Sequence, residues 1–131
     1  MLAMVIDDSR AMRRILRTVL QEVGYEVVEA GNGQEALDLL GTEEAETRVP
    51  ELALIDWNMP IMTGLEFVVN ARKQQRLRNM SLIMVTTESE HGQIVRALAS
   101  GAHEYVIKPF TRDALHDKLA LLGLLPAGVN S

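Results

Sequence analysis

Five short apolar runs punctuate the chain: LAMVI (2–6), YEVV (25–28), LALI (52–55), SLIMV (81–85) and EYVI (104–107). Those at 2–6, 52–55 and 81–85 are almost unbroken in apolar character, the pattern of strands covered on both faces. YEVV alternates more and runs into Glu29, which predicts an edge strand. Between the runs the spacing becomes helical. From Ser9 the apolar positions are Met12, Ile15, Leu16, Val19, Leu20 and Val23, one face of a helix with Ser9 as its N-cap and Gly24 as its stop. GQEALDLL (33–40) predicts a shorter helix, and GLEFVVNARKQQ (64–75) a third whose basic end suits the macrodipole. HGQIVRALAS (91–100) predicts a fourth, expected to be the least firmly held. It carries Gly92, which costs about 1 kcal/mol relative to Ala, and its large apolar residues are Ile94, Val95 and Leu98 alone. Ile94 and Leu98 fit a core stripe and a partner-facing stripe equally well. Thr111 caps a last helix bearing Leu115, Leu119 and Leu122, with Phe110 and Leu115 at the two positions of a hydrophobic staple.

Five alternations of strand and helix predict an α/β fold, doubly wound, with a parallel sheet, helices on both faces and right-handed crossovers. Residues 1–124 read as one domain, 125–131 as a short tail, and the acidic stretch GTEEAETRVPE (41–51) as a surface connection.

Composition narrows the function. The 131 residues suffice for one core, and a net charge of −5 argues against a general nucleic-acid binder. The absence of cysteine excludes disulfides and thiolate chemistry and suits a reducing compartment. MLAMVIDDSR has no basic n-region, and no apolar stretch approaches the roughly 20 residues of a membrane span. A cytoplasmic monomer is expected.

The candidate chemistry lies where the strands end. Ligands of such sheets bind beyond the carboxyl ends of the strands, where strand order reverses. Asp7 and Asp8 follow the first strand and Asp56 ends the third. Strand order 2-1-3-4-5 would set these ends side by side, converging three carboxylates. At an effective dielectric near 20, each pair about 4 Å apart costs roughly 4 kcal/mol, so the pocket must protonate, stay wet or bind a cation. An all-oxygen set suits Mg²⁺, which also partners phosphate. The fourth strand runs into Thr86, a hydroxyl donor for a phosphoryl oxygen, and the fifth into Lys108-Pro109. An acid nucleophile, a divalent cation, a hydroxyl and an ammonium together can stabilise a transferring phosphoryl group.

DD at 7–8, DWNMP at 56–60 with Gly64, TT at 86–87 and YVIKPF at 105–110 together resemble the receiver domain of two-component response regulators, in order and over almost the whole chain. DDSRAMRR (7–14) and DWNMP are most similar to the single-domain chemotaxis regulators of that family. The resemblance implies a flavodoxin-like (βα)₅ fold and an Asp56 that accepts a phosphoryl group from the phosphohistidine of a histidine kinase. It implies Mg²⁺ held directly by Asp8 and Asp56, through water by Asp7, and by the backbone carbonyl of Asn58. Lys108 would pair with the phosphoryl group, and the bond to Pro109 would be cis. Thr86 would swing toward the phosphate while Tyr105 moves inward. Asn58 and Glu88 occupy positions that tune hydrolysis, and Thr87 stands where many receivers carry a smaller residue. The face built from helix 91–100, strand 104–107 and the last helix would then change its affinity for a partner, such as a flagellar-motor switch component or a phosphotransfer protein. Such a protein assists its own phosphorylation and turns over no external substrate. A receiver cut from a longer regulator and a phosphorelay shuttle share every one of these motifs.

Each residue has a plainer reading. Acids ahead of Ser9 favour a helix N-terminus, Asp56 suits a turn, Thr86 a strand end and Lys108 a solvated surface. Tyr105 suits a strand core. It is their convergence that carries weight. A haloacid-dehalogenase-type phosphohydrolase would also use a strand-end Asp, Mg²⁺, a Thr and a Lys. It resembles this chain less, because its second Asp is here Asn58 and it needs a longer chain with a cap. A flavin-binding module needs a Ser/Thr/Gly-rich phosphate loop where this chain has acidic DDSR. His91, His103 and His116 show no metal-ligand spacing and are expected at the surface. Trp57 is expected to pack, and Met59 and Met62 to flank the pocket.

Overall fold

The computed structural model describes residues 1–87 and 91–125. The chain runs β1 (Leu2–Ile6), α1 (Arg10–Glu22), β2 (Glu26–Ala30), α2 (Gly33–Leu40), α3 (Glu43–Thr47), β3 (Leu52–Asp56), α4 (Gly64–Lys73), a 3₁₀ turn (Gln75–Leu77), β4 (Ser81–Thr87), α5 (His91–Ser100), β5 (Glu104–Lys108) and α6 (Arg112–Leu121). The strands form one parallel sheet in the order β2-β1-β3-β4-β5.

Successive side chains of a strand point to opposite faces, and both faces here are apolar. Met4, Ile6, Ala53, Ile55, Leu82 and Met84 meet α2, α4 and α5 through Ala36, Leu40, Phe67, Val68, Ala71 and Ala97. Ala3, Val5, Leu52, Leu54, Ile83 and Val85 meet α1 and α6 through Leu16, Val19, Leu20, Leu115 and Leu119. β3 lies mid-sheet and is buried at every position, as its unbroken run predicts.

The caps follow the sequence. The side chains of Ser9, Asn32, Thr63 and Thr111 accept from the backbone N–H groups of Met12, Glu35, Glu66 and Ala114. Thr63 and Glu66 complete a reciprocal capping box at the head of α4. Gly24, with φ +102°, takes the left-handed conformation that ends α1.

Several expectations shift. The stretch 41–51 is more than a connection: Thr42 caps the short helix α3, whose Ala45 is buried. The third helix stops at Lys73, with the following residues tightened into the 3₁₀ turn. Ile94 is core, whereas Leu98 and Val95 lie exposed on α5. Of the histidines expected at the surface, His103 is exposed and His116 is half-buried. The Nδ1 of His103 points inward and accepts from Leu82 N–H at 3.2 Å and from the Arg72 guanidinium at 3.2 Å. Glu88 and the tail beyond Leu125 lie outside the described residues.

Candidate functional site: an acid pocket at the strand ends

Among the described residues, the buried polar side chains are Asp7, Asp56 and Thr86. All three sit at or just beyond the carboxyl ends of the central strands β1, β3 and β4. β1 pairs directly with β3 and β3 with β4, so the order reversal brings these ends together. Asp7 and Thr86 are each 1% exposed and Asp56 is 8% exposed, while Asp8 faces solvent. Asp7, Asp8 and Asp56 each present a carboxylate oxygen, and these oxygens lie within 4.8 Å of one another. Lys108, from the end of β5, crosses to the pocket. Its Nζ donates to Asp56 Oδ1 at 2.9 Å and pairs with Asp7 Oδ2 at 3.6 Å, too long for a hydrogen bond. The Lys108–Pro109 bond is cis.

The pocket is short of positive charge. Burial pushes the Asp56 carboxyl above its ordinary range; the Lys108 hydrogen bond opposes this, and the Asp7 and Asp8 charges add to the rise. Burial by itself would pull Lys108 down, but its hydrogen bond to Asp56 and the charges of Asp56 and Asp7 outweigh that and raise it. Among the described residues, the Lys108 ammonium pairs with Asp56 and Asp7 while Asp8 adds a third negative charge beside them. Asp7 Oδ2 is buried with no hydrogen-bond partner among the described residues, a costly state unless another positive group meets it. An all-oxygen set with an orphaned buried oxygen fits a hard divalent cation of the Mg²⁺ type.

Local sequence explains the shape. Asp7 Oδ1 accepts from Ser9 N–H at 2.8 Å, which turns the chain into α1. After β3, Gly64 N–H bonds to Trp57 O at 3.0 Å, drawing the head of α4 onto the strand end. A Cβ on Gly64 would come within 2.5 Å of the Asp56 carbonyl oxygen, so this close approach needs glycine. Between them the chain makes a γ-turn, with Met62 N–H on Pro60 O at 2.7 Å and Ile61 at φ +71°. Trp57 and Met59 are buried in the core beside the pocket, and Met62 packs against that core. Asn58 follows directly after Trp57, and Thr87 lies exposed at the end of β4.

Tyr105 stands apart from the acids. It is half-buried, packs against the core beneath α2, α4 and α5, and has the Lys118 ammonium 4.8 Å from its ring centre. With Val106, Ile107, Phe110 and Ala114 it lines a recess of about 360 Å³ between β5 and α6. Two arginines hold backbone near the site and the sheet, contacts that the motif DDSRAMRR and the basic end of helix 64–75 did not foretell. Arg13 Nη1 donates to the Asp7 carbonyl at 2.7 Å. Arg72 binds the carbonyls of Leu77, Arg78 and Gly101 as well as His103. Basic residues on a helix face read as solvated until the partner backbone is in place.

Fold and pocket define a doubly wound domain with an acid pocket at its strand ends, and the comparisons with known proteins say which family has it. The family model of the response regulator receiver domain matches residues 3–120, and the chain belongs to that family. The chemotaxis protein CheY homolog of Campylobacter jejuni is 43% identical over 117 residues, covering 88% of this chain and 87% of the relative. Chemotaxis protein CheY1 of Helicobacter pylori is 41% identical over 120 residues, covering 91% and 94%. Among solved structures, the chemotaxis response regulator CheY4 of Vibrio cholerae superposes with a TM-score of 0.81 at 33% identity, over 92% of this chain and 97% of that one. The chain is thus a receiver domain closely related to CheY-type chemotaxis regulators. Among the described residues, no helix is long and apolar enough to cross a membrane.

Proposed function

We propose that this protein is a response regulator whose signal is the phosphorylation of Asp56, supplied by a histidine kinase and dependent on Mg²⁺. The observation that carries this reading is the gathering of Asp7, Asp8 and Asp56 within 4.8 Å of one another beside Lys108, with buried Thr86 at the adjoining end of β4. In the transfer, an Asp56 carboxylate oxygen forms a bond to phosphorus as the bond to the donor imidazole nitrogen breaks. The electron pair returns to that nitrogen, which takes up a proton. Asp8 and Asp56 would hold Mg²⁺ directly, Asp7 through water and Asn58 by its carbonyl. The cation would neutralise the carboxylates and the phosphoryl oxygens. Lys108, already within 2.9 Å of Asp56, would move its hydrogen bond to the phosphoryl group, and Thr86 would donate to another phosphoryl oxygen. Asn58 and Glu88 would tune the lifetime of the phosphorylated state.

Output would run from Thr86 to Tyr105 and on to the face of α5, β5 and α6. Val95 and Leu98 are exposed on that face, and Tyr105 is neither fully buried nor free, which suits a residue with two positions. A chemotaxis partner, such as a flagellar-motor switch component or a phosphotransfer protein, is the reading favoured by the likeness to the two CheY relatives. Beryllium fluoride, a tetrahedral phosphoryl mimic, tests the reading. With Mg²⁺ it should change Trp57 fluorescence and alter amide exchange along α5 and β5, with no effect on Asp56→Asn. A response unchanged by Asp56→Asn would contradict it.

A further inference from the structure

The three acids of the pocket are not held alike. Asp7 is fixed by its N–H on Ala30 O at 3.1 Å and by its Oδ1 on Ser9 N–H, and Asp56 by Lys108. Asp8 is exposed, so the aim of its carboxylate depends on the backbone that carries it. The carbonyl of Asp7 belongs to the peptide unit joining Asp7 to Asp8, and Arg13 Nη1 donates to it at 2.7 Å. The Arg13 guanidinium is fixed in turn. Its Nε donates to Glu29 Oε1 at 3.1 Å, and Arg17 Nη1 meets Glu29 Oε2 at 2.5 Å. The Arg17 hydrogen bond holds the Glu29 carboxyl below its usual range; burial opposes it, and the Arg13 hydrogen bond adds to the lowering. α1 and β2 thus anchor one peptide plane at the rim of the pocket.

We infer that Arg13 is a positioning residue for the cation site: by clamping the Asp7–Asp8 peptide through its Glu29-anchored guanidinium, it aims Asp8 into the pocket. The inference rests on the reading of the acid cluster as a Mg²⁺ site. Charge alone demands the opposite outcome, because a guanidinium near a cation site repels the cation, so its removal should tighten binding. Positioning demands that removal weakens it. The size expected for a partner one shell out from a metal is about tenfold or more in affinity.

Mg²⁺ titration of Trp57 fluorescence tests this on the full chain, with thermal unfolding as the check on folding. Arg13→Met keeps the apolar stem and removes the donors. It should weaken Mg²⁺ binding about tenfold, and Arg13→Lys, which keeps the charge but loses the fork, should also weaken it. In an Asp8→Asn background Arg13→Met should produce no further loss, since its effect passes through Asp8. Unchanged or tighter binding by Arg13→Met, or the same loss persisting without the Asp8 carboxylate, would overturn the inference while leaving the Mg²⁺ site standing. A wild-type protein that binds no Mg²⁺, by fluorescence and by Mn²⁺ spin resonance alike, would overturn the site itself and the inference with it.

Discussion

Gly64 shows how tightly the acid pocket depends on single atoms. A methyl group there would press on the backbone oxygen of Asp56 and on the Met84 side chain, and backbone cannot yield as a flexible side chain can. Gly64→Ala should therefore cost roughly 2 kcal/mol in urea unfolding, within the range for overpacked cores. It should also displace Asp56, which weakened Mg²⁺ binding would report. His103 makes a different prediction. Burial and the Arg72 charge lower its pKa in the folded protein, and its neutral Nδ1 accepts two donors. The unfolded chain therefore binds its proton more readily than the folded one. The stability due to the neutral ring is fully present above the unfolded value of about 6.5 and is lost as pH falls from there toward the lower folded value. Chemical denaturation from pH 7.5 to 5 should show this slope in the wild type and a shallower one in His103→Gln. Equal slopes would contradict the assignment.

At the scale of elements, α5 joins an exposed apolar stripe to a sparse anchor. Ile94 and Ala97 are buried, while Val95 and Leu98 remain exposed. An added Cβ at Gly92 meets nothing within 4 Å. Gly92→Ala should thus stabilise the protein by about 0.5–1 kcal/mol and slow amide exchange in α5, read by mass spectrometry. No slowing would mean that α5 is already as firm as the rest. The elements legible in the sequence were those with strong periodicity or a cap. Ser9, Thr111 and the five apolar runs each marked an observed element. α3 was illegible because GTEEAETRVP has no apolar period; within the helix Ala45 alone is buried, and the helix rests on the Thr42 cap. β2 begins and ends later than YEVV suggests, because Tyr25 belongs to the turn, where its hydroxyl donates to Leu124 O. That long-range bond leaves no local mark. Burial, with a smaller effect from Glu51, pushes the Tyr25 phenol up to about 12.

At the scale of the molecule, the site was more legible than the network that holds it. Asp7, Asp56, Thr86 and Lys108 stand at strand ends, and the strand order that sets those ends side by side was implied by the resemblance of the motifs, so the meeting of Asp7, Asp56 and Lys108 could be expected from one dimension. The Arg13–Glu29–Arg17 bridge and the Arg72 hub could not, since each joins elements whose register only the folded sheet defines. Among the described residues, the fold gathers carboxylates that repel one another beside the ammonium of Lys108. The chemistry proposed for this pocket is transfer of a phosphoryl group onto Asp56. Intact-mass spectrometry after incubation with acetyl phosphate, with and without Mg²⁺, on wild type and Asp56→Asn, tests it most directly. One phosphoryl adduct that requires Mg²⁺ and is absent from Asp56→Asn is the expected result. No adduct with Mg²⁺ present, or one that persists in the variant, would contradict it.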